Sequence, residues 1–478
     1  MRALVPVDSD LRGQLERLRR AQRDEGETTL DQRLALLRRL EQVLLRDRER
    51  IAEALMSDFG VRSRHETLMA EVLTVVRGIQ EVRKNLRRWM RPRRVRVSWL
   101  YRPGRARVQP QPKGVVGIMG AWNYPVNLAL APIVATVAAG NRAMVKPSEV
   151  APRAAEVVKA ILTEALGENR VIVTLGDVQV AETFSRLPFD HLLFTGSTQV
   201  GRKVMAAASE NLVPVTLELG GKSPVIVTED RFTRGGLLRT AHSVAFGKLL
   251  NAGQTCIAPD YALLPEGRID DFVEAFRDSV TEMYPSLLDN ADYTAIIDER
   301  HAGRLLGYVR EAADRKVRIE EINPAGEDLG GQTKKLPPTL IVDPPDDLAV
   351  MKEEVFGPIL PILTYGTLDE AIAHVNARPR PLALYVFSDD QRKVRRILER
   401  TTSGGACVNE VALQFAEDRL PFGGVGDSGM GAYHGRAGFE TFSHLKPVFV
   451  RTRFDPMSLF RPPYGKRHDR FLDWLFGR

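Results

Sequence analysis

The sequence predicts an α/β fold with parallel sheets, and three features of the chain support that prediction. Residues 114–141 carry no charged side chain and divide into a buried strand, Val115–Met119, a polar loop and a buried helix, Val126–Ala139. Strand-like and helix-like segments then alternate as far as FTGS, which is typical of a parallel sheet with helices on both faces. The pattern restarts after Pro214, which indicates a second α/β unit.

The composition is that of an ordinary globular protein. The chain has 478 residues, of which 44% are hydrophobic and 27% charged, so it can bury a large core. Two cysteines, far apart at Cys256 and Cys407, exclude a disulfide framework, and eight scattered histidines predict no protein-built metal site. The first residues, MRALVPVDSD, contain no apolar run, so we expect no signal peptide and a cytoplasmic protein.

The first hundred residues predict helices followed by an exposed hairpin. Apolar residues recur at helical spacing from Leu30 to Leu55, and a second helical pattern runs from about Glu66 to Trp89. Alternating residues around Pro103-Gly104 then predict two strands and a turn over about residues 95–110.

The uncharged stretch is long enough to cross a membrane, but Asn127 and Pro132 interrupt it, so a buried strand, loop and helix is preferred.

Further strands are predicted in RAMVKPSE, RVIVTLG and DHLLFTGS, and, in the second unit, in VTLELGGKSPVIV, YALLP, RPLALYVFSD and GACVNE. Parallel sheets bind ligands at the carboxyl ends of their strands. The loops WNYP, KPSE and TGSTQVG are therefore expected to carry chemistry.

Positive charge is concentrated near the start of the chain. The net charge is +7, yet residues 1–113 hold 27 lysines and arginines against 15 acidic residues, a net +12. A nucleic-acid surface is one interpretation. A solvated arginine-rich face is preferred, because the basic stretch contains few aromatic residues (Trp89, Trp99 and Tyr101) and no nucleic-acid motif is present.

Three short motifs are set aside because their context fails. Gly424–Gly429 matches GxGxxG but neither follows a clear strand nor opens a helix. The GDSG within it resembles a serine-protease loop, although triads are recognised by geometry. GGKS resembles the end of a phosphate-binding loop, but Thr216 stands where the leading glycine belongs.

Two residues stand out as chemical candidates. Cys256 lies in the polar loop NAGQTCIAPD, which suits a nucleophile, although a plain buried cysteine is the alternative. Glu218 lies within the apolar strand TLEL, where a carboxylate is costly to bury unless it has a partner or a catalytic role. A general base and a satisfied salt bridge both remain open for Glu218 at this point. Cys407, in GGACVNE, is interpreted as structural.

Several long motifs in one order resemble the aldehyde dehydrogenase superfamily. They are WNYP, KPSE, FTGSTQVG, LELGGKSP, GQTCIAPD, EEVFGP and LPFGGVGDSGMG, spread over roughly residues 20–450. GQTCIAPDY, RPLALYVFS and GMGAYHG are similar to the class 3-like branch. ARPRPLALY and PFDHLLFTGSTQVGRKVMAAA are most similar to bacterial coniferyl aldehyde dehydrogenases. The resemblance implies oxidation of an aldehyde, coniferyl or a related aromatic one, to a carboxylic acid; a medium- or long-chain fatty aldehyde is the alternative.

The resemblance also implies the role of each site residue. Cys256 would be the nucleophile that forms a thiohemiacetal and then a thioester, Asn123 a donor to the alkoxide, and Glu218 the base for hydrolysis. Cofactor-binding residues would be Trp122, Lys146, Glu149, Gly196, Ser197, Gly201, Glu354 and Phe356. A carboxylate at Glu149 favours NAD, with NADP also accepted by many class 3-like members. An inactive homologue is disfavoured because the three catalytic positions are intact.

The implied architecture is aldehyde dehydrogenase-like: a Rossmann-like cofactor domain, an α/β catalytic domain and a small β oligomerisation element. The expected boundaries are 1–213 for the NAD(P)-binding domain with the hairpin at about 95–110, 214–405 for the catalytic domain, 406–430 for a return to the cofactor domain, 431–450 for an oligomerisation strand near Phe439–Phe449 and 451–478 for a tail. A homodimer is expected, with no nucleic-acid partner. The apolar tail is expected to pack on protein rather than on a membrane.

Overall fold

The structure, a computed structural model, describes residues 7–329, 334–453 and 460–477. Its helices are α1 (Val7–Glu25), α2 (Leu30–Arg46), α3 (Arg48–Phe59), α4 (Arg64–Thr67), α5 (Thr74–Trp89), α6 (Asn127–Ala139), α7 (Pro152–Leu166), α8 (Val178–Ser185), α9 (Thr198–Ser209), α10 (Arg234–Leu249), α11 (Ile269–Met283), α12 (Glu299–Asp314), α13 (Ala349–Lys352), α14 (Leu368–Asn376), α15 (Gln391–Arg400), α16 (Leu413–Ala416), α17 (Gly435–Thr441) and α18 (Lys466–Leu475). Its strands are β1 (Arg93–Val95), β2 (Arg105–Pro112), β3 (Val115–Met119), β4 (Arg142–Lys146), β5 (Val171–Val173), β6 (His191–Gly196), β7 (Val215–Leu219), β8 (Pro224–Val227), β9 (Tyr261–Pro265), β10 (Arg318–Glu321), β11 (Thr339–Val342), β12 (Ile359–Tyr365), β13 (Ala383–Phe387), β14 (Gly405–Val408), β15 (Gly429–Met430) and β16 (Ser443–Val450).

A six-stranded sheet with the order β15-β7-β6-β3-β4-β5 carries most of the predicted ligand loops. All neighbours are parallel except β15, which runs antiparallel to β7. The uncharged stretch forms β3 and α6, both buried, so that prediction is confirmed. Pro132 lies inside α6 without ending it. None of the helices in the described part of the chain has the length and apolar character needed to cross a bilayer.

A seven-stranded sheet with the order β10-β11-β12-β9-β8-β13-β14 forms the second α/β unit. Only β10 is antiparallel to its neighbour. The chain passes from the first sheet to the second at a later point than the predicted restart after Pro214. The reason is that β7 (Val215–Leu219) still pairs with β6 in the first sheet. The chain therefore changes sheet at residues 220–223. Likewise β14 remains in the second sheet as far as Val408, and the chain rejoins the first sheet only at β15.

A three-stranded antiparallel sheet joins the predicted hairpin to a late strand. β1 pairs with β2 in a register that places Arg93 opposite Val108, which confirms the hairpin. β16 pairs with β2 along its whole length, but it begins at Ser443, because residues 435–441 form α17. The tail places α18 beside the hairpin, with Trp474 5.5 Å from Trp99 between ring centroids.

The two N-terminal helical patterns are confirmed but divided. The pattern from Leu30 to Leu55 breaks at Asp47, which ends α2 and begins α3. The pattern from Glu66 to Trp89 begins with α4, passes through a π-helical turn at Leu68–Leu73 and continues as α5. π-Helical turns inside α-helices are frequent near functional sites. This one contains Glu71, whose contacts are described below.

Candidate active site

One large cavity, of about 1030 Å³, opens at the carboxyl ends of β3, β4, β6 and β7. All of the site residues predicted from the sequence line it except Gly201: Trp122, Asn123, Lys146, Glu149, Gly196, Ser197, Glu218, Cys256, Glu354 and Phe356. Residues from both sheets and from the loops between them therefore converge on one space. Its size and mixed polar lining suit an extended ligand.

Gly201 contributes to packing rather than to the cavity wall. It lies in the first turn of α9, where an added Cβ would come within 2.6 Å of Cδ2 of Leu219. The absence of a side chain thus allows α9 to lie close against β7. Close helix–strand packing is a known role of glycine beside dinucleotide sites.

The loop before Cys256 is held in an unusual backbone conformation. Asn251 and Ala252 both have positive φ, 53° and 52°, and Gly253 has φ 76°. An added Cβ at Gly253 would lie 2.2 Å from the carbonyl oxygen of Gly357, so only glycine fits. Positive φ in non-glycine residues costs energy and is tolerated mainly where surrounding contacts enforce it.

Cys256 is a partly accessible residue with a free thiol, which forms no disulfide. Burial raises the pKa of its thiol well above the usual value, and the nearby carboxylates of Glu218 and Glu354 raise it further. Both effects favour the protonated thiol over the thiolate. A nucleophile in such surroundings needs a base to take its proton.

Glu218 lies on β7, and its surroundings bear on one of the two interpretations left open by the sequence, the satisfied salt bridge. Its side chain is buried and neither carboxylate oxygen has a hydrogen-bond partner, so there is no salt bridge. Burial raises the pKa of Glu218 well above its ordinary range. A buried carboxyl without a partner, in the same cavity as a thiol, has the electrostatics expected of a general base.

Asn123 lies in the loop between β3 and α6 and contacts the loop of Cys256 directly. Its Nδ2 donates to the carbonyl oxygen of Gln254 at 3.1 Å. A primary amide carries two hydrogens. The bond to Gln254 uses one of them, so the amide of Asn123, which lines the cavity, keeps one further hydrogen.

Lys146 and Glu149 form an ion pair at the end of β4, with Nζ and Oε2 separated by 2.5 Å. Lys146 is almost wholly buried, whereas Glu149 is partly exposed. The next loop of the sheet ends β6 at Gly196 and begins α9 with Ser197 as its N-cap. The first turn of α9 thus presents backbone N–H groups beside the cavity, an arrangement that favours phosphate.

At the other side of the cavity, Trp122 and Phe356 pack edge to face, with ring centroids 5.5 Å apart. Phe356 has a positive φ of 51°, so its position is enforced by its surroundings. Glu354 is half-buried, its Oε1 is inaccessible and unpartnered, and desolvation of the carboxylate raises its pKa to about 8. An orphaned carboxylate oxygen beside two aromatic rings fits a ligand that offers both a flat ring and hydroxyl groups.

His301 also lines the cavity and was not predicted from the sequence. Its ring packs against Trp122 at 4.8 Å between centroids, and Nδ1 lies 2.7 Å from Oδ1 of Asp298. The neighbours Arg300 and Arg304 line the cavity as well. A helix N-cap at Asp298 was the only local signal, and it does not predict a ligand site by itself.

The set-aside glycine motif has a structural role. Residues 429–430 form β15, which pairs with β7 and places Gly429 opposite Glu218. The GVGDSG segment therefore covers the edge of the strand that carries the buried carboxylate. Neither phosphate binding nor a serine nucleophile is needed to explain it.

Known proteins resemble this chain in sequence and in fold. The family model described as "Aldehyde dehydrogenase family" matches residues 8–448. A probable coniferyl aldehyde dehydrogenase of Caulobacter vibrioides is 46% identical, over 99% of this chain and 99% of its own length. The substrate-bound state of Staphylococcus aureus AldH is 36% identical, with a TM-score of 0.90 over 97% of this chain and 99% of that one. An NAD-dependent aldehyde dehydrogenase from Sinorhizobium meliloti is 26% identical, with a TM-score of 0.83 over 96% and 89%.

The family model spans nearly the whole chain, and the similarity to the Caulobacter relative is both high and end to end. The fold, the cavity and these relatives all agree with the resemblance noted in the sequence motifs. The chain therefore belongs to the aldehyde dehydrogenase family and is an aldehyde dehydrogenase that uses a nicotinamide cofactor.

Proposed function

We propose that this enzyme oxidises an aromatic aldehyde, coniferyl aldehyde or a close relative, to its carboxylic acid through a thioester on Cys256. The observation that carries the mechanism is the convergence of Cys256, Glu218 and Asn123 on one cavity. The name of the Caulobacter relative supports the substrate. Water supplies the second oxygen of the acid.

The first step is attack on the aldehyde. The thiol of Cys256 gives its proton to solvent water, and the sulfur then bonds to the carbonyl carbon. The resulting alkoxide accepts hydrogen bonds from Nδ2 of Asn123 and from the backbone N–H of Cys256. Donors held in place before the reaction stabilise this charge without reorganising.

The second step is oxidation of the thiohemiacetal. A bound nicotinamide would supply the acceptor for the hydride of the adduct carbon. Glu354 would accept hydrogen bonds from ribose hydroxyls, and Trp122 and Phe356 would form the wall beside the nicotinamide. Lys146 and Glu149 would bind the hydroxyls of the adenosine ribose. A carboxylate at Glu149 repels a 2′-phosphate, which favours NAD over NADP.

The third step is hydrolysis of the thioester. Glu218 takes a proton from a water molecule as its oxygen attacks the acyl carbon, and the carbon–sulfur bond breaks. Cys256 leaves as a thiolate and the carboxylic acid is released. Because burial raises the pKa of Glu218, the fraction of Glu218 in its basic form increases with pH, so turnover is expected to rise with pH.

The test is an aldehyde panel with NAD and NADP in parallel, measured by the absorbance of the reduced cofactor. We expect kcat/KM to be highest for coniferyl aldehyde with NAD. A higher kcat/KM for a long alkanal would overturn the aromatic substrate and favour a fatty aldehyde.

The nucleophile is tested by Cys256→Ala, which should abolish reduced-cofactor formation from any aldehyde while NAD still binds. Cys407→Ala is the matched control, since Cys407 lies in β14 and does not line the cavity. We expect it to retain activity. Turnover by Cys256→Ala would contradict the mechanism.

A further inference from the structure

A group of buried charged side chains lies behind the Asn123 loop, and the proposed chemistry does not use it. Arg62, Glu66 and Glu71 are all buried, and the side chains of Arg62 and Glu71 are wholly inaccessible. None of the three lines the cavity. Charges are seldom buried this deeply unless they are paired and hydrogen-bonded. Their contacts show what they hold.

Arg62 connects the helical region to the Asn123 loop. Its Nη1 donates to the carbonyl oxygen of Asn123 at 2.7 Å, and its Nη2 donates to Oε1 of Glu71 at 3.2 Å. The guanidinium also lies over the rings of Phe59 and Tyr124, 4.5 and 5.1 Å from their centroids. The group is therefore fixed from several sides, and the Asn123 carbonyl is fixed with it.

The two carboxylates hold the chain segments on either side of the catalytic residues. Oε2 of Glu71 accepts from the backbone N–H groups of Val126 and Asn127, where α6 begins, at 3.1 and 2.7 Å. Oε2 of Glu66 accepts from the backbone N–H of Asn251 at 2.9 Å. One segment follows Asn123 and the other precedes Cys256.

Asn251 links these two segments to each other. Its Nδ2 donates to the carbonyl oxygen of Asn123 at 3.1 Å and to that of Gln254 at 3.2 Å. The Asn123 carbonyl thus accepts from both Arg62 and Asn251. Because Asn251 has a positive φ, these contacts hold a backbone conformation that the residue would not otherwise favour.

We propose that Arg62 is a positioning residue, which fixes the Asn123 loop through its carbonyl and so aims the Asn123 amide at the substrate oxygen. The inference rests on the proposed function of Asn123. Arg62 does not line the cavity, so it acts only through Asn123 and its neighbours. Small displacements of a catalytic group reduce rates by as much as about 100-fold.

The first test replaces the guanidinium. Arg62→Met should lower kcat by about 10- to 100-fold, while the Kd of NAD, measured by fluorescence titration, stays within about two-fold. The matched control is Arg33→Met. Arg33 is also buried and donates to backbone carbonyls, those of Thr28 and Ala138, but at the far end of α6. The control should leave kcat within about two-fold.

Arg62→Lys keeps a positive charge near Glu66 and Glu71 and carries the test if Arg62→Met does not fold. A single ammonium cannot reproduce the forked contacts to Asn123 and Glu71. We therefore expect kcat for Arg62→Lys to lie between those of the wild type and of Arg62→Met. Equal kcat values for Arg62→Lys, Arg62→Met and Arg33→Met would overturn the inference.

A double-mutant cycle separates positioning from general support of the fold. Asn123→Ala should lower kcat by about 10²- to 10³-fold, the usual effect of losing an oxyanion donor. Adding Arg62→Lys to Asn123→Ala should lower kcat by less than about two-fold more, since the donor that Arg62 aims is gone. Multiplicative losses would overturn the positioning role. Wild-type activity in Asn123→Ala alone would instead refute the proposed function of Asn123.

Discussion

The wall of the cavity and the packed region behind Asn123 each contain a fully buried glutamate, and the two have opposite surroundings. Glu218, in the wall, has no hydrogen-bond partner on either oxygen. Glu71, behind it, accepts from Arg62 and from two backbone N–H groups. Burial raises the pKa of both, but that of Glu71 only to about 7, because Arg62 and the N–H donors favour its charged form.

The difference shows how burial serves two purposes in one site. A buried carboxylate without a partner is unstable as an anion and therefore binds a proton strongly, as a general base must. A paired carboxylate instead holds other groups in place through its charge. Removing the charge should therefore damage chemistry in the first region and folding in the second.

The largest expected effect follows from Glu218→Gln. An amide cannot accept a proton from water, so hydrolysis should slow by about 10²- to 10⁴-fold. After reaction with coniferyl aldehyde and NAD, mass spectrometry should detect an acyl adduct on Cys256. Formation of reduced cofactor without any adduct on Cys256 would contradict the hydrolytic role assigned to Glu218.

Glu71→Gln is the matched variant for that experiment. It neutralises an equally buried carboxylate that does not line the cavity. Because it loosens the support of Asn123, it should slow the step before the acyl-enzyme forms, so no adduct should accumulate. An acyl adduct in both Glu218→Gln and Glu71→Gln would contradict the proposed difference between the cavity wall and the region behind Asn123.

The next effect concerns stability. Glu71→Ala leaves Arg62 as an unpaired buried charge and two N–H groups of α6 without an acceptor. We expect a loss of about 3–5 kcal/mol in the free energy of unfolding, measured by urea denaturation. Glu218→Gln should cause no loss, because it replaces a buried carboxyl that has no partner. Similar losses in both variants would contradict the comparison.

The fold was largely predictable because its strands and helices have local signatures. The uncharged run at 114–141 and the alternation after it predict β3, α6 and their neighbours. The sheet that β7 joins was not predictable, because its apolar residues suit either sheet. Its place is decided by β6 and by β15, which comes from a segment about 200 residues later in the chain.

The cavity wall was predictable in the same way, since motifs such as WNYP, KPSE and GQTC are continuous in sequence. The support behind it was not. Glu66 and Glu71 lie in a stretch with ordinary helical spacing, where acidic residues normally face solvent. Only tertiary contacts with Asn251 and with the start of α6 show that they are buried. His301 is similar, since its partner Trp122 is remote in sequence.

Glu354 lies between the two extremes and gives the smallest and most graded prediction. Oε1 has no partner, but the backbone of Gly221 donates to the carboxylate, and burial together with the charge of Asp260 raises its pKa to about 8. The unfolded chain has a pKa near 4.3. Between these values the folded state binds more protons, so stability from Glu354 is complete below about pH 4 and falls as pH rises towards 8.

Glu354→Gln does not titrate, so its thermal midpoint relative to the wild type should increase from pH 5 to pH 8 and then level off. Glu354→Asp keeps a buried carboxyl and should follow the wild type more closely. The measurement is the melting temperature of each protein at one-unit pH steps. Parallel curves for the wild type and Glu354→Gln would mean that folding does not raise the pKa of Glu354, and its surroundings would then differ from those of both Glu71 and Glu218.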